Sequence, residues 1–411
     1  MPLIVQKYGG TSVGTAERIR NVVARRIARR ADAGDQLVAV VSAMGDTTDE
    51  LIALARQMTG DPEPRELDLL LSTGEIVSAA LVSLALNDMG YPAVALSGAQ
   101  AGIRTDTRHG KARIAGLDPK RIRSELDAGK IVIVAGFQGI TEEMEVTTLG
   151  RGASDTTAVA LAAALKAGRA EIYTDVEGIY TADPRLVPEA RKLNEISYEE
   201  MLELASYGAK VMHPRAVELG AVYRVPIYVA SSFSEAPGTL IHGDTATGGR
   251  GMEQRNKVMG IAQDTDVARI TIRGVPDRPG IAATLFEPLG ENGISVDTIV
   301  QNASVERLTD LTFTVSRSDL ERALEIVRPI AQQIEAPQVL ADTHLAKVSI
   351  VGAGMTSGPG YAGRMFRALF EARINIELIT TSEIRITCLI DEKQVPDAVR
   401  ALHKAFALAA E

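Results

Sequence analysis

The chain has 411 residues, 45% of them hydrophobic and 24% charged, the makeup of a globular protein too long for one ordinary domain; a catalytic unit of roughly 250 residues with something smaller behind it is expected. A formal net charge of −9 excludes a nucleic-acid surface built on bulk positive charge. The single cysteine, Cys388, allows no internal disulfide and fits a reducing cytoplasm, while the N-terminus lacks a signal pattern and no apolar stretch reaches the roughly 18 residues that span a bilayer, so no membrane role is expected.

Leu3-Ile4-Val5-Gln6-Lys7-Tyr8 reads as a strand and Gly9-Gly10-Thr11-Ser12 as a turn whose hydroxyls can cap a helix from about Val13 to Arg30. This is the layout of an anion cradle: glycines let backbone N–H groups approach a phosphate, the helix N-terminus adds partial positive charge and Lys7 adds a full one. A plain tight turn has the same pattern. The arginines of that helix, Arg18, Arg20, Arg25, Arg26, Arg29 and Arg30, read as a solvated face or a contact with another subunit. A second apolar strand, Gln36 to Val41, ends in Ser42-Ala43-Met44-Gly45-Asp46-Thr47 before another helix. Further strands at Ala93 to Leu96, Ile131 to Ala135, Glu171 to Thr174 and Ile227 to Ala230 alternate with Ala- and Leu-rich helices. The alternation predicts an α/β fold with a mostly parallel sheet, helices on both faces and ligands at the strands' C-terminal ends.

Polar motifs fall at those ends. Leu71-Ser72-Thr73-Gly74-Glu75 looks like a capped helix start, and Ala135-Gly136-Phe137-Gln138-Gly139 follows a buried strand with glycines that suit close backbone approach. Gly150-Arg151-Gly152-Ala153-Ser154-Asp155 leads into an apolar helix, where an anion is favoured and Arg151 can grip a carboxylate with both nitrogens. Thr174-Asp175 ends a strand, and Tyr180-Thr181-Ala182-Asp183-Pro184-Arg185 is a turn-rich loop fit to hold a nucleotide. His213, before Pro214, reads as a structural residue at a helix start.

Together with Gly208-Ala209-Lys210-Val211-Met212-His213-Pro214, these stretches, in this order and at this spacing, resemble the aspartokinases, and the resemblance covers essentially the whole chain. It implies a carbamate-kinase-like αβα sandwich of the amino-acid-kinase type and transfer of the γ-phosphate of ATP, accompanied by Mg2+, to the side-chain carboxylate of L-aspartate. That step stands at the entrance to lysine, threonine and methionine synthesis. By resemblance Lys7 acts on the transferring phosphoryl group, with Asp155 as its orienting counter-ion. Arg151 binds the substrate α-carboxylate and Glu75 its ammonium, and Thr47, Phe137 and Ser154 shape the rest of the aspartate pocket. Tyr8, Gly9, Gly10, Ser42, Thr174, Asp175, Tyr180, Arg185, Lys210 and Val211 match the nucleotide positions, and no dedicated metal-ligand cluster has metal-site spacing. One departure is Ala153, where the family usually has glycine; its methyl is expected to crowd the turn slightly.

Residues 244–256 turn Gly-, Thr- and Arg-rich and mark a linker after a catalytic domain at 1–243. Beyond it the chain repeats: a shift of 80 residues lays Pro279-Gly280 on Pro359-Gly360, Phe286 on Phe366, Leu289 on Leu369 and Ile294 on Ile374. Each copy has the βαββαβ order of a ferredoxin-like unit and resembles an ACT domain, a small amino-acid sensor. The second copy lacks its last strand, and the orphan segment Val258 to Ala262 is expected to supply it, so that a first ACT domain at 267–342 is inserted within a second made of 257–264 and 343–411. The resemblance implies lysine and/or threonine as effectors and oligomerisation through the ACT units. The matching effector positions are Asp277, Ala282, Ser295, Asp297 and Gln301 in the first copy and Tyr361, Ala362, Asn375, Ile376, Ser382 and Glu383 in the second; Ser295 stands where asparagine is usual. Met252, behind Gly248-Gly249-Arg250-Gly251, is a candidate second start for a short regulatory subunit. The competing reading is a non-catalytic amino-acid sensor on a kinase scaffold.

Overall fold

The computed structural model describes residues 2–208, 211–243, 258–302, 307–336, 338–353, 355 and 359–409. The linker with Met252, and Lys210 of the nucleotide set, lie outside the described residues. The chain divides into two compact bodies: Met1–Tyr180, Lys192–Ser206 and Lys210–Gln254 form one, and Thr181–Arg191, Tyr207–Ala209 and Arg255–Glu411 the other.

The first body is built on an eight-stranded sheet in the order Glu195–Ser197, Thr239–His242, Ile227–Ser231, Arg169–Thr174, Leu3–Tyr8, Gln36–Val41, Ile131–Ala135, Ala93–Leu96. Every pairing is parallel except that of Ile227–Ser231 with Thr239–His242. Unbroken apolar runs make the central strands, because a strand covered by helices on both faces must be apolar at consecutive positions. Gln36–Val41 and Ile131–Ala135 each bury five residues in a row. On one face Leu37, Ala39, Ile131 and Ile133 pack with Val23 and Ile27 of the first helical stretch and with Val82 and Leu86 of helix Pro64–Asp88. Helix Ser154–Leu165 packs against Leu3–Tyr8 and Gln36–Val41. Full burial of each such aliphatic side chain stabilises by about 1.5–3 kcal/mol.

Three expectations are corrected. The first helix begins at Ala16, capped by Thr15, whose hydroxyl accepts the Arg18 amide at 3.1 Å; Ser12 instead pairs its hydroxyl with that of Ser232 at 2.6 Å. The stretch Leu71–Glu75 does not open a helix but lies in the middle of Pro64–Asp88, started by Pro64 behind the Glu63 cap. Ser72 and Thr73 donate back to the carbonyls of Leu69 and Leu70, so neither caps anything, and a Cβ on Gly74 would meet the Ala43 methyl at 2.9 Å, which is why a glycine interrupts this helix. That helix is also long and apolar enough to cross a membrane by composition alone; half of its apolar stretch is buried inside the protein, with Asp68, Ser72, Glu75 and Ser78 on the buried side.

Four short strands that the sequence does not announce, Ile114–Leu117, Ile103–Thr105, Gln138–Ile140 and Val146–Thr148, form a second sheet in that order.

The second body has one six-stranded antiparallel sheet in the order Thr298–Gln301, Leu308–Val315, Gly260–Pro276, Gln338–Val351, Arg385–Asp391, Leu378–Thr381. Its two middle strands run through both ACT units. Gly260 to Asp264 pair with Val351 to Lys347 in one half, Val267 to Arg273 pair with Leu345 to Gln338 in the other, and the register shifts between them. Helices Ile281–Glu291 and Leu320–Gln333 cover one half around Leu285, Phe313 and Val327. Helices Tyr361–Glu371 and Val395–Ala405 cover the other around Val348, Leu369 and Leu402. Segment Thr181–Arg191 packs in that second core through Ala182 and Val187, and Thr181 shares a 3.0 Å hydrogen bond with His403.

Candidate active site

Adjacent parallel strands bring the motif-bearing turns to one edge of the large sheet. Backbone bonds stitch them together: Gly9 N–H donates to the Tyr173 carbonyl at 3.2 Å, Ser42 N–H to Tyr8 at 3.1 Å and Gly45 N–H to Gly10 at 3.1 Å. The Gly9 amide is thereby committed, and Gly10 is the residue of the pair whose amide has no backbone acceptor among the described residues. Gly10 needs its lack of a side chain, because a Cβ there would stand 2.9 Å from the Ala43 carbonyl oxygen; one on Gly9 would stand 3.5 Å from the Lys7 ammonium, an ordinary contact.

Lys7 reaches across this turn to Asp155, Nζ to Oδ1 2.8 Å, with both side chains nearly buried at 12% and 7% exposure. Asp155 lies in the first turn of helix Ser154–Leu165, where the positive helix end favours a carboxylate, and its other oxygen accepts the His213 amide at 3.2 Å. The His213 ring caps its own helix by accepting from Arg215 N–H at 3.2 Å, and burial pulls its pKa down. It is a structural residue with a carboxylate neighbour that its sequence position does not reveal.

Glu75 is the most perturbed acid here. Its side chain is buried, one oxygen accepts the Ala43 amide at 3.1 Å, and the other is buried with no hydrogen-bond partner among the described residues. Burial pushes its pKa to about 7, against the lowering effect of the Ala43 hydrogen bond. An unpaired carboxylate oxygen in such a place is set to receive a cation or an ammonium.

Around it, a Cβ on Gly74 would lie 3.6 Å from the Thr47 side chain, so Thr47 and the Glu75 segment are neighbours. Phe137 is held at φ 68°, a conformation uncommon for an aromatic residue, with its N–H on the Thr157 hydroxyl at 3.2 Å. Gly136 has no room for a Cβ, which would come within 2.8 Å of the Ser154 hydroxyl. Arg151 sits between positive-φ glycines 150 and 152 and, among the described residues, holds only Asp49, at 2.5 Å, with both side chains more than 60% exposed. Such a pair adds little stability, so its guanidinium is open to a carboxylate ligand. Ala153, expected to crowd the turn, has φ −75° and packs fully buried with Leu71, Ala112, Phe137 and Leu149; nothing at this position requires glycine.

The nucleotide set is only partly assembled. Thr174 and Asp175 hydrogen-bond to each other at 3.1 Å at the end of their strand, and Tyr180 pairs with Lys192 in the first body. Arg185 belongs to the second body, where it forks onto Asp183 at 3.0 and 2.7 Å. Val211 is half-buried before the helix that starts at Pro214. Of the effector set, Asp277, Ala282, Ser295, Asp297, Gln301, Asn375 and Glu383 are exposed. Asp297 pairs with the buried Lys347, Asn375 donates to Glu377 at 3.0 Å, Tyr361 stacks on Phe406 at 6.4 Å, and Ile376 leans on the second core. Ser382 turns the chain back through its amide onto the Arg385 carbonyl at 2.8 Å.

Sequence reasoning missed the residues that hold these groups in place. Asp68, 1% exposed, accepts from the Gly110 and Thr148 amides, both at 2.9 Å, and from the Thr148 hydroxyl at 2.5 Å, fastening the small sheet to helix Pro64–Asp88. Arg215 donates to the carbonyls of Leu149 and Ala112 at 2.7 and 3.0 Å beside the Gly150 turn. A lone acid within an apolar helical stretch was the available signal for Asp68.

A glycine-turn cradle with a lysine–aspartate pair at the C-terminal ends of a parallel sheet, followed by paired ACT units, defines an amino-acid-kinase type of phosphotransferase with regulatory modules. The model of the amino acid kinase family matches residues 2–231, and ACT domain models match 269–332 and 348–406. The chain belongs to the aspartokinases, and its activity is that of an aspartate kinase: it is 53% identical to the aspartokinase of Pseudomonas aeruginosa over 408 residues, 99% of this chain and 98% of that one. It is also similar to E. coli aspartokinase III solved with aspartate and ADP, at 27% identity, TM-score 0.84, covering 98% of this chain and 99% of that one. With the same enzyme bound to lysine and aspartate the identity is 26%, the TM-score 0.71 and the coverage again 98% and 99%.

Proposed function

We propose that the chain transfers the γ-phosphate of ATP to the side-chain carboxylate of L-aspartate, giving 4-phospho-L-aspartate and ADP. The observation that carries this reading is the Lys7–Asp155 pair, 2.8 Å, beside the Gly9-Gly10 turn. An oxygen of the aspartate carboxylate attacks the γ-phosphorus, the bond to the β,γ-bridging oxygen breaks, and ADP leaves with the electron pair. No base is needed, because a carboxylate with a reference pKa near 3.9 is already ionised at neutral pH. Catalysis is positioning and charge neutralisation. Lys7, oriented by Asp155, meets the charge that develops on the transferring group, and the Gly10 amide points the turn's free donor at the phosphates. Glu75 takes the substrate ammonium on its unpaired oxygen, Arg151 takes the α-carboxylate, and Thr47, Phe137 and Ser154 bound the pocket. Mg2+ would accompany ATP, held by phosphate oxygens and water rather than by protein ligands, and would supply neutralisation of phosphate charge.

The same reading makes the second body a feedback sensor for lysine and/or threonine in a cytoplasmic biosynthetic enzyme that pairs through its ACT faces. It is supported by the lysine complex of E. coli aspartokinase III. A short subunit begun at Met252 belongs to this proposal on sequence grounds alone. ADP release measured with aspartate, glutamate and UMP as acceptors tests the core of it. Release with aspartate alone is expected; release with none would leave a sensor on a kinase scaffold, and preference for another acceptor would refute the pocket assignment.

A further inference from the structure

The arginine-rich face of the first helical stretch is built into a cavity. Arg26, Arg29 and Arg30 line it together with Arg169, and the rings of Tyr173 and Tyr228 form part of its wall, around a volume of about 380 Å3. None of the residues placed in the aspartate or ATP sets lines it, so it is separate from the active site. It shares one structural member with the catalytic turn, since the Tyr173 carbonyl accepts the Gly9 amide at 3.2 Å.

Two of the four guanidinium groups are fixed from below. Glu171, with no exposed surface, accepts from Arg30 at 2.6 Å, Arg169 at 2.8 Å, Gln6 at 2.8 Å and the Tyr173 hydroxyl at 3.0 Å. Burial pushes this carboxyl up, yet Gln6, Arg169 and Arg30 outweigh it and hold its pKa below the ordinary value. Its charge is fully engaged inside the protein. Stacking fixes the geometry further, with Arg26 4.6 Å over the Tyr173 ring and Arg169 5.3 Å over that of Tyr228.

The other two arginines have a weaker partner. Arg26 and Arg29 both reach the single carboxylate of Glu235, at 3.6 and 3.1 Å, and that side chain is 69% exposed. Pairs of this kind add little and give way to a better anion. Arg26 donates from one terminal nitrogen to the carbonyls of Ser231, Ser232 and Ser234 at 3.2–3.5 Å, while its buried Nε has no partner among the described residues. Glu171 and Asp35 engage Arg30 and Arg169 from below, which leaves Arg26 and Arg29 with one exposed carboxylate between them on the cavity side. Their fork geometry matches phosphate oxygens.

We propose that this cavity is a second anion site, which takes a small multivalent phosphate, either diphosphate or the polyphosphate end of a nucleotide, by displacing Glu235 from Arg26 and Arg29. The test is calorimetric titration of the full chain with inorganic diphosphate at low salt, repeated with ADP, in the wild type and in Arg29→Glu and Arg26→Gln. The wild type should show two classes of site, one of them the active site. Arg29→Glu, a change on a side chain already 63% exposed, should weaken the second class by at least about tenfold while kcat with saturating ATP and aspartate stays within about twofold. A second class seen with diphosphate assigns the affinity to phosphates alone, and one seen only with ADP assigns it to a nucleotide. A single class in the wild type with both ligands, or a second class that survives Arg29→Glu, overturns the proposal; should Arg26→Gln fail to fold, the Arg29→Glu result decides.

Discussion

Glu75→Gln should separate what the buried acid does for the fold from what it does for the substrate. In the folded protein the carboxyl keeps its proton up to about pH 7, whereas unfolded it gives it up near 4.5. That gap corresponds to about 3 kcal/mol in favour of the neutral form. Between these values the native state holds the extra proton, so wild-type stability should fall as pH rises from 4.5 to about 7 and then level off. Glutamine keeps the acceptor for the Ala43 amide and removes the buried charge. The substrate-free variant should therefore match the wild type near pH 4.5 and exceed it by up to about 3 kcal/mol at pH 8, read by urea unfolding. Aspartate binding should show the opposite trend, because the ammonium needs the ionised carboxylate, and at pH 6 only about one molecule in ten has it. The wild-type KM for aspartate should be about tenfold higher at pH 6 than at pH 8. In Glu75→Gln it should stand above the wild-type value at pH 8, where the carboxylate is ionised, by the worth of a charged hydrogen bond, about 1.5–3 kcal/mol, or roughly ten- to a hundredfold, and lose its dependence on pH. A flat wild-type KM between pH 6 and 8, together with a variant no more stable at pH 8, would refute both the buried charge and its pairing with substrate.

Four further outcomes follow from the same geometry. Lys7→Ala should lower kcat about a hundredfold or more, since losing a positioned cation at developing charge costs about 2.7–4 kcal/mol; a rise in the KM for ATP with kcat intact would contradict the role given to Lys7. Arg151→Lys should weaken aspartate far more than ATP, because a lysine cannot reproduce two-pronged pairing, and equal weakening of both would move Arg151 out of the pocket. Gly10→Ala puts a methyl 2.9 Å from the Ala43 carbonyl oxygen and should cost about 1–3 kcal/mol in thermal stability along with most of the activity; a variant with wild-type Tm and rate would show that the turn has slack. Asn375→Ala or Gln301→Ala should relieve inhibition by lysine or threonine with uninhibited kcat unchanged, and inhibition retained by both would place the effector sites elsewhere.

The central strands were legible because burial on both faces leaves an unbroken apolar run that no other element needs. Three-residue strands such as Gln138–Ile140 and Val146–Thr148 have no room for a period and were silent. The turn after the first strand was legible for a related reason: at Gly10 the chain passes too close to the Ala43 carbonyl oxygen for a Cβ, and close approach leaves glycine. What holds the site groups was not legible, because the partners are backbone amides far along the chain. The Ala43 amide on Glu75 and the His213 amide on Asp155 lie 32 and 58 residues away, and an amide has no sequence identity. Ser72-Thr73-Gly74 misled because hydroxyls before a glycine suit a helix start as well as a helix middle. Only the packing of Gly74 on Ala43 distinguishes the two.

The loop after Tyr180 shows how contiguity in sequence can hide a division in space. Tyr180 through Arg185 reads as one polar, turn-rich nucleotide loop, and the family model carries the kinase region through it to residue 231. By packing, Tyr180 stays with the first body while Thr181–Arg191 belongs to the second. Ala182 and Val187 are buried among Val348, Met365 and Leu402, the Thr181 carbonyl accepts the Ile261 amide at 2.8 Å, and the Thr181 hydroxyl meets His403 at 3.0 Å. An isolated alanine and valine in a loop carry no period, so nothing in the sequence marks them as core. Descent assigns the segment to the kinase region and packing assigns it to the second body.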